Sequence, residues 1–338
     1  MLLTDQHPHN KSIMVSLLGL PNAGKSSLAN YLLGFDLTPV TRKAQTTRNK
    51  INCVFTVDRT EVVLMDTPGI HNAGQELNKR MNGQAFEASE GVDLNLILLD
   101  LGFDMIKDLK QLRQNMKDIE LGRSWLVFTK TDKVNMEEVN LDAYFNFAKE
   151  LFPSLEKYFA VSPKEGDGVH LLTGALCDEA QPGPHLYPGG EVSNKSERFF
   201  AAEYIREQAF TALDEEIPYE VAVVIDDFQD FRAKNKRMAK ERPEVGTREA
   251  KDNPVDSLIS ASILVNRPSQ RGIVVGKQGA MIKRIGTEAR KKIEKMVGGK
   301  VRLNLHVKVS PRWFKNNYVL EEVGLPRVQN SARVFRKR

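Results

Sequence analysis

Short apolar runs alternate with helix-spaced patterns along the first half of the chain. Six runs have the length and composition of buried strands, at 13–18, 50–57, 61–66, 94–101, 124–129 and 157–161. Between and after them, apolar residues recur at the three- to four-residue spacing of helices, at 25–33, 76–90, 105–119, 137–151 and 168–178. Alternating strands and helices imply right-handed crossovers. We therefore expect an α/β fold with a mainly parallel sheet and helices on both of its faces.

The pattern changes after a Pro- and Gly-rich stretch at 181–190, which cannot continue a helix and predicts an interdomain linker over 181–195. Beyond it we expect a helix, two strands, a helix–loop–helix region and a final strand, at 196–214, 219–226, 258–266, 268–297 and 301–309. Residues 229–257 are polar and highly charged, and we interpret them as a mobile insertion. The predicted organisation is one domain over 1–180, an α+β domain over 196–326 and a basic tail over 327–338.

Charge is divided unevenly between the two halves. Residues 1–180 carry 19 Lys and Arg against 24 Asp and Glu, whereas residues 181–338 carry 30 against 20. Within 258–318 there are 14 basic residues and two acidic ones. A solvated basic face is the ordinary explanation of a charge run. A window this one-sided, spread over strands and helices, instead favours a nucleic acid partner.

Composition excludes several classes of protein. The 338 residues, 41% of them hydrophobic, suffice for two cores. No apolar run approaches the roughly 20 residues of a membrane-spanning helix. The first residues lack the basic and apolar regions of a secretory signal. Cys53 and Cys177 lie far apart in apolar contexts, as is typical of free thiols in a reducing cytosol, so we expect a cytoplasmic protein.

The first predicted strand leads into G-x-x-x-x-G-K-S, the phosphate-binding loop of nucleotide hydrolases. Its glycines let backbone N–H groups face an anion, and the next helix begins with its positive end at the phosphates. Lys25 is expected to reach the β- and γ-phosphates and Ser26 to bind Mg²⁺. The predicted nucleotide-binding residues of this loop are Gly19, Leu20, Pro21, Asn22, Ala23, Gly24, Lys25 and Ser26.

Three later strand ends carry residues that fit the same nucleotide. Asp66-Thr67-Pro68-Gly69 places a carboxylate where it can hold Mg²⁺ through a water, and a glycine N–H that can approach the γ-phosphate. In Thr129-Lys130-Thr131-Asp132 the last carboxylate can accept the N1 and 2-amino hydrogens of guanine, which adenine does not offer. The stem of Lys130 can cover the base, and the segment Ser162-Pro163-Lys164 can close over it.

The most basic window contains G-x-x-G at 276–279 between apolar positions. This loop, between two predicted helices, is typical of KH domains, whose loop clamps about four nucleotides of single strand. The residues expected to contact RNA are Gly276, Lys277, Gln278, Gly279, Lys283, Arg284 and Arg290. Lys291 and Lys292 are further candidates, although the whole set cannot share one helix face. Trp313 and Phe314 can stack on bases or pack in the core, and packing is the commoner outcome.

The four nucleotide motifs, in this order and spacing, resemble those of the translation-factor-type GTPases. The forms G-L-P-N-A-G-K-S, K-A-Q-T-T-R at 43–48 and D-T-P-G resemble the Era family of bacterial GTPases. S-E-R-F-F at 196–200 and D-E-E-I-P-Y at 214–219 extend the resemblance into the second domain. It covers residues 13–326 apart from the charged insertion.

The resemblance implies a GTP-hydrolysing switch that cycles between GTP and GDP. Its RNA partner would be the 3′ end of 16S ribosomal RNA, and it would act with the 30S subunit in small-subunit assembly. Lys25, Thr47 and Gly69 would be catalytic, and Ser26, Thr47 and Asp66 would hold Mg²⁺, with Thr46 as the alternative to Thr47. K⁺, recruited through Asn22, is a further hypothesis. The basic residues at 232–240 permit contact with the inner membrane, and we expect a monomer.

One residue differs from many GTPases in general, and two depart from the family's own pattern. Ile70, also assigned to the nucleotide site, stands where many GTPases have a water-positioning Gln, so hydrolysis should be slow without another group or partner. Thr129 replaces the usual Asn of the guanine motif and can still make a contact through its hydroxyl. Pro163 replaces the usual Ala and lacks the N–H that could bond guanine O6. Two alternatives stay open, namely a metabolic phosphotransferase and an RNA-binding scaffold with vestigial turnover.

Overall fold

The computed structural model describes residues 7–233 and 255–327, which form two units. The first unit comprises the described residues up to Asn194 together with those from Gly324 onward, and the second runs from Lys195 to Val323. The chain thus returns to the first unit after completing the second. Most of the predicted insertion, the basic run from 234 to 240 and the tail from 328 lie outside the described residues.

The first unit is built on a mainly parallel sheet, as predicted. Its strands are β1 Lys11–Leu18, β2 Ile51–Val57, β3 Thr60–Asp66, β4 Leu94–Asp100, β5 Ser124–Thr129, β6 Leu155–Val161 and the short β7 Gln181–Pro182. The order across the sheet is β2-β3-β1-β4-β5-β6, and β7 pairs with β1. β2 runs antiparallel to β3, while β1, β3, β4, β5 and β6 are parallel. Parallel strands end at one edge of the sheet, which is where ligands bind in such folds.

Five α-helices in the described part of the first unit accompany this sheet. They are α1 Lys25–Leu33, α2 Glu76–Ser89, α3 Met105–Asn115, α4 Leu141–Leu151 and α5 Val169–Glu179. One apolar core joins α2, α3 and α4 to β4 and β5, with Leu109, Leu126 and Phe128 fully buried. Burial of a side chain of this size contributes about 1.5–3 kcal/mol, so the core holds the strand ends in fixed positions.

The predicted linker is bound to the first unit rather than extended between domains. The backbone N–H groups of Leu186 and Tyr187 donate to the buried carboxylate of Glu61. The N–H of Val54 donates to the carbonyl of Val192 at 2.9 Å, which covers part of the edge strand β2. The unit boundary consequently falls after Asn194, at the end of the expected linker.

The second unit follows the predicted order of elements. It contains α6 Glu197–Ala212, β8 Ala222–Asp230, β9 Ser257–Val265, α7 Pro268–Val275, α8 Ala280–Val297, β10 Val301–Val309 and α9 Asn317–Glu322. β9 lies centrally, antiparallel to β8 and parallel to β10. α6 and α8 pack together, and the buried Trp313 donates its indole N–H to the Glu220 carbonyl at 2.7 Å. Trp313 therefore packs in the core, the commoner of the two outcomes expected for it.

Several predicted boundaries were wrong for local reasons. The helix expected from 137 begins at Leu141, because Asn140 caps α4 by accepting from the Ala143 N–H. The helix expected to reach 119 ends at Asn115. The strand expected from 219 begins at Ala222, because Pro218 favours a short 3₁₀ turn before it. β8 then continues to Asp230, so the expected insertion is shorter at that end.

Candidate functional site

The phosphate-binding loop joins β1 to α1 at the carboxyl edge of the sheet. Lys25 is buried, and its ammonium donates to the carbonyls of Gly19 and Leu20 at 3.2 and 3.0 Å. Burial lowers the pKa of Lys25 to about 8, although Asp66 opposes this shift. A desolvated ammonium beside a curled backbone is a strong site for a phosphate oxygen.

Three oxygen-bearing side chains converge beside Lys25. Ser26 Oγ lies 2.8 Å from Thr47 Oγ1 and donates to Asp66 Oδ2 at 2.7 Å. The other carboxylate oxygen of Asp66 is buried and has no hydrogen-bond partner within the described part of the chain. Burial also raises the pKa of this carboxyl to about 6, against the hydrogen bond from Ser26 and the charge of Lys25. Two hydroxyls and a carboxylate with an unsatisfied oxygen match the hard-oxygen chemistry of Mg²⁺.

The neighbouring Thr46 faces a different environment. Its hydroxyl contacts Thr41 Oγ1 at 2.5 Å and donates to the Lys43 carbonyl at 2.8 Å. Both contacts lie within its own loop, so the geometry favours Thr47 over Thr46 as the hydroxyl near Ser26.

The D-T-P-G segment closely approaches the phosphate-binding loop. A Cβ on Gly69 would lie 2.7 Å from the backbone N and Cα of Pro21, so only glycine fits there. The next N–H, of Ile70, donates to the Gly19 carbonyl at 3.0 Å. The side chain of Ile70 is fully buried in the core with Leu18 and Ile97. A buried apolar side chain has no hydrogen-bonding group with which to orient a water.

Two side chains of the guanine motif donate to the phosphate-binding loop. The buried hydroxyl of Thr129 donates to the Ala23 carbonyl at 2.9 Å. The ammonium of Lys130 donates to the Asn22 carbonyl at 2.7 Å and contacts Asp100. The hydroxyl at 129 thus links the strand end to the loop, and Asp100 is a charged neighbour that the motifs did not indicate.

Asp132 is held in place by the last motif. Its Oδ1 accepts from Ser162 Oγ at 2.7 Å, and this hydrogen bond holds the carboxyl pKa below its usual range. Lys164 Nζ lies 3.9 Å from the same carboxylate. Asp132 is therefore an ionised acceptor at neutral pH, as recognition of guanine requires.

In the second unit, the 276–279 loop separates α7 from α8. A Cβ on Gly276, whose φ is +74°, would lie 2.8 Å from the Met281 N, so this turn requires glycine. Lys277 and Gln278 are exposed at its tip, and within the described ranges no side chain caps the first turn of α8. The N–H of Ala280 donates to the Lys277 carbonyl, so an anion at this turn would meet the N–H groups that follow it.

A cavity of about 320 Å³ lies between α8 and β10. Lys283, Arg290 and Arg302 contribute its charged part, and Leu303 and Leu305 are among its apolar lining. Arg284 is exposed but is not among the lining residues. Lys291 and Lys292 pair with Glu288 and Glu207 instead. Arg302 and the two leucines were not predicted as site residues, because the alternation along β10 shows which residues share a face but not which helix lies beside it.

Known proteins match both units. The model of a family described as "50S ribosome-binding GTPase" matches residues 14–130, and that of the KH domain matches residues 244–314. GTPase Era of Geobacter sp. strain M21 is 37% identical over 319 residues, covering 93% of this chain and 97% of the relative. The Era family of GTPases includes this chain. GTPase Era of Thermotoga maritima is similarly close, at 35% identity over 317 residues with the same coverage.

Solved Era structures share the fold along nearly the whole chain. Era in complex with MgGDPNP and nucleotides 1506–1542 of 16S ribosomal RNA superposes with a TM-score of 0.80 at 26% identity, over 94% of this chain and 100% of that one. A single-residue variant of Aquifex aeolicus Era bound to GDP·AlF₄⁻ gives 0.79 at 27% identity with the same coverage. The predictions of a GTPase fold followed by a KH fold, and of a GTP-hydrolysing enzyme, are confirmed. No helix in the described ranges is long and apolar enough to cross a membrane.

Proposed function

We propose that this chain couples GTP binding and hydrolysis to the binding of 16S ribosomal RNA near its 3′ end, during assembly of the 30S subunit. The observation that carries the proposal is its likeness, over 94% of the chain, to Era bound to MgGDPNP and that RNA segment. The phosphate site of the first unit and the basic groove of the second supply the chemistry. This function replaces the metabolic phosphotransferase alternative, since the chain belongs to a family of GTPases.

The nucleotide site acts chiefly by positioning charge. Lys25 neutralises the β- and γ-phosphates, while Ser26, Thr47 and Asp66 hold Mg²⁺, which supplies further charge stabilisation when bound. The backbone N–H of Gly69 approaches the γ-phosphate, so the Thr47 and Gly69 segments are ordered by GTP and released after hydrolysis. Asp132 selects guanine, and Thr129, Ser162 and Lys164 support that end of the nucleotide.

The RNA groove binds a backbone through the 276–279 loop and bases along the cavity between α8 and β10. Lys283, Arg290 and Arg302 neutralise phosphates, while the leucines of β10 offer apolar surface to unstacked bases. Phosphate contacts position the RNA without reading its sequence.

The direct test is fluorescence anisotropy with an RNA corresponding to nucleotides 1506–1542, measured with GDPNP and with GDP. We expect tighter binding with GDPNP. Arg302→Glu should weaken binding by about tenfold or more and reduce the salt slope by about 1. Lys291→Glu is the matched control, because Lys291 lies on α8 but pairs with Glu288. Equal affinities for both nucleotides, or equal losses in both variants, would refute the coupled function.

A second candidate function is that of an RNA-binding scaffold with vestigial turnover, and the burial of Ile70 favours it. The two functions differ in what Lys25→Ala does. A switch loses ribosome assembly in this variant because it cannot hold GTP, whereas a scaffold retains it.

We infer that K⁺ accelerates GTP hydrolysis, which is slow because Ile70 cannot orient a water. Asn22 is exposed on the phosphate-binding loop, and its amide nitrogen donates to the Arg42 carbonyl at 3.2 Å. Amide and carbonyl oxygens are suitable ligands for a monovalent cation. Hydrolysis should be faster in KCl than in NaCl, and Asn22→Ala should abolish the difference; equal rates in wild type exclude the proposal.

We also propose a monomer and a peripheral contact with anionic membranes. The membrane proposal rests on the sequence at 232–240, of which only the first two residues are described. Light scattering tests the first, and flotation with vesicles of phosphatidylcholine and phosphatidylglycerol tests the second. Flotation equal to that with phosphatidylcholine alone removes the membrane contact.

A further inference from the structure

Asp100 is a buried carboxylate at the carboxyl end of β4, outside the four nucleotide motifs. β4 and β5 are parallel neighbours, and Asp100 pairs in register with Thr129, the first residue of the guanine motif. Its side chain is only 5% exposed. Burial of a carboxylate is costly unless its oxygens are satisfied, so the partners of Asp100 matter.

Both oxygens of Asp100 are engaged. Oδ1 accepts from the backbone N–H of Gly102 at 2.9 Å, which fixes the carboxylate plane by a local turn. Oδ2 contacts the ammonium of Lys130. The same ammonium donates to the Asn22 carbonyl in the phosphate-binding loop. Asp100, Lys130 and Asn22 thus form a continuous chain of hydrogen bonds from β4 to the loop.

These hydrogen bonds hold the long side chain of Lys130 in one conformation. Lys130 has an αL backbone, with φ of 61°, and its side chain is 23% exposed. A lysine has high rotamer freedom, and an ammonium bonded only to a neutral carbonyl is held weakly. The second, charged partner fixes the ammonium, and with it the aliphatic stem of a residue two positions before Asp132.

We propose that Asp100 is a positioning residue for guanine nucleotides, acting through Lys130. It holds the lysine stem over the base and, through the Asn22 carbonyl, keeps the phosphate-binding loop in its bound form. It does not touch nucleotide itself. The inference rests on the proposed base-binding roles of Lys130 and Asp132. It predicts that nucleotide leaves wild type more slowly than it leaves a variant without the Asp100 carboxylate.

The test measures release of fluorescent N-methylanthraniloyl-GDP and -GTP by stopped flow from the full-length protein. Asp100→Asn should accelerate release of both by about tenfold, the factor expected from loss of one charge-assisted hydrogen bond. The KM for GTP should rise and kcat should stay unchanged, since the reacting phosphate is untouched. Asp100→Glu keeps the charge and should restore most of the slow release. Asp100→Ser is a second neutral variant, for use if Asp100→Asn does not fold.

Two comparisons separate positioning from simple stabilisation. In a Lys130→Met background Asp100→Asn should have no further effect on release, because the carboxylate acts through that lysine. Glu156→Gln is the matched control, since it removes an ion pair with Arg123 at the amino ends of β5 and β6. An unchanged release rate in Asp100→Asn, or an equal acceleration in the Lys130→Met background, would overturn the proposal. Failure of wild type to prefer GDP over ADP would instead refute the base site itself.

Discussion

Thr46 and Thr47 are adjacent in sequence but face different partners. Thr47 Oγ1 lies 2.8 Å from Ser26 Oγ, whereas the Thr46 hydroxyl bonds within its own loop. Thr47→Val should raise the Mg²⁺ concentration for half-maximal GTP hydrolysis by about tenfold or more, because one oxygen ligand is lost. Thr46→Val should leave it within about twofold. A larger shift from Thr46→Val in a Mg²⁺ titration would assign the ligand to Thr46.

His71 follows the D-T-P-G-I segment and is mostly buried. Burial lowers its pKa to about 4, and the positive charge of Lys25 acts in the same direction. Below pH 6.5 the unfolded chain therefore binds a proton that the folded chain excludes until about pH 4. Stability is present in full above pH 6.5 and is lost as pH falls through this range.

The prediction for His71 is measured as urea-unfolding midpoints at neutral pH and at a pH between the two pKa values. His71→Gln should lose less stability between these conditions than wild type, because glutamine does not titrate. His170→Gln, at an exposed position of α5, should lose as much as wild type. Parallel behaviour of wild type and His71→Gln would mean that His71 is protonated in the folded protein.

At the scale of elements, α7 contains one exposed glycine and ends at another of a different kind. Among the described residues nothing lies within 4 Å of a Cβ on Gly272, so Gly272→Ala should stabilise the second unit by up to about 1 kcal/mol. Gly276 has a positive φ and a crowded Cβ position, so Gly276→Ala should destabilise it. Thermal unfolding and RNA anisotropy of the two variants check this. Equal changes would show that the loop tolerates a side chain.

Element types were predictable where local pattern decides them. β4 and β5 are mostly apolar and fully buried, and α8 carries apolar residues at helical spacing, so their existence follows from sequence. Helix and strand boundaries that are set by a cap or a turn were harder to predict from the sequence. Asn140 caps the start of α4, and Pro218 delays β8, because single side chains compete there with the apolar pattern. Long-range partners such as Asp100 and Arg302 left no local signal, since only the sheet brings them to a site.

For the whole molecule, the return of the chain to the first unit is the least expected feature. Leu325 is fully buried, and its carbonyl accepts from the buried guanidinium of Arg80 on α2 at 2.8 Å. Gln84, one turn later, donates to the Gly324 carbonyl at 2.7 Å. From the sequence these residues were expected at the end of the second domain, because nothing in G-L-P indicates a partner 245 positions away.

Leu325→Ala should therefore destabilise the first unit by about 2–4 kcal/mol, although Leu325 follows the second unit in sequence. Each unit has one of the two tryptophans, Trp125 and Trp313. In a Trp313→Phe background, fluorescence reports unfolding of the first unit alone. Leu171→Ala, at a position 61% exposed, is the control and should change little. Unchanged unfolding in Leu325→Ala would mean that 324–327 is a passive tail.

The divided first unit also sets an order for folding during the protein's own synthesis. A chain emerging from the ribosome exposes β1 to β6 first, but the residues that fill the place beside Arg80 come after all of 195–323. The second unit can fold as soon as it emerges, whereas the nucleotide-binding unit can only be completed afterwards. A nascent chain stopped before Gly324 would hold an unfinished GTPase together with a finished RNA-binding fold, so the newly made protein acquires its complete switch last.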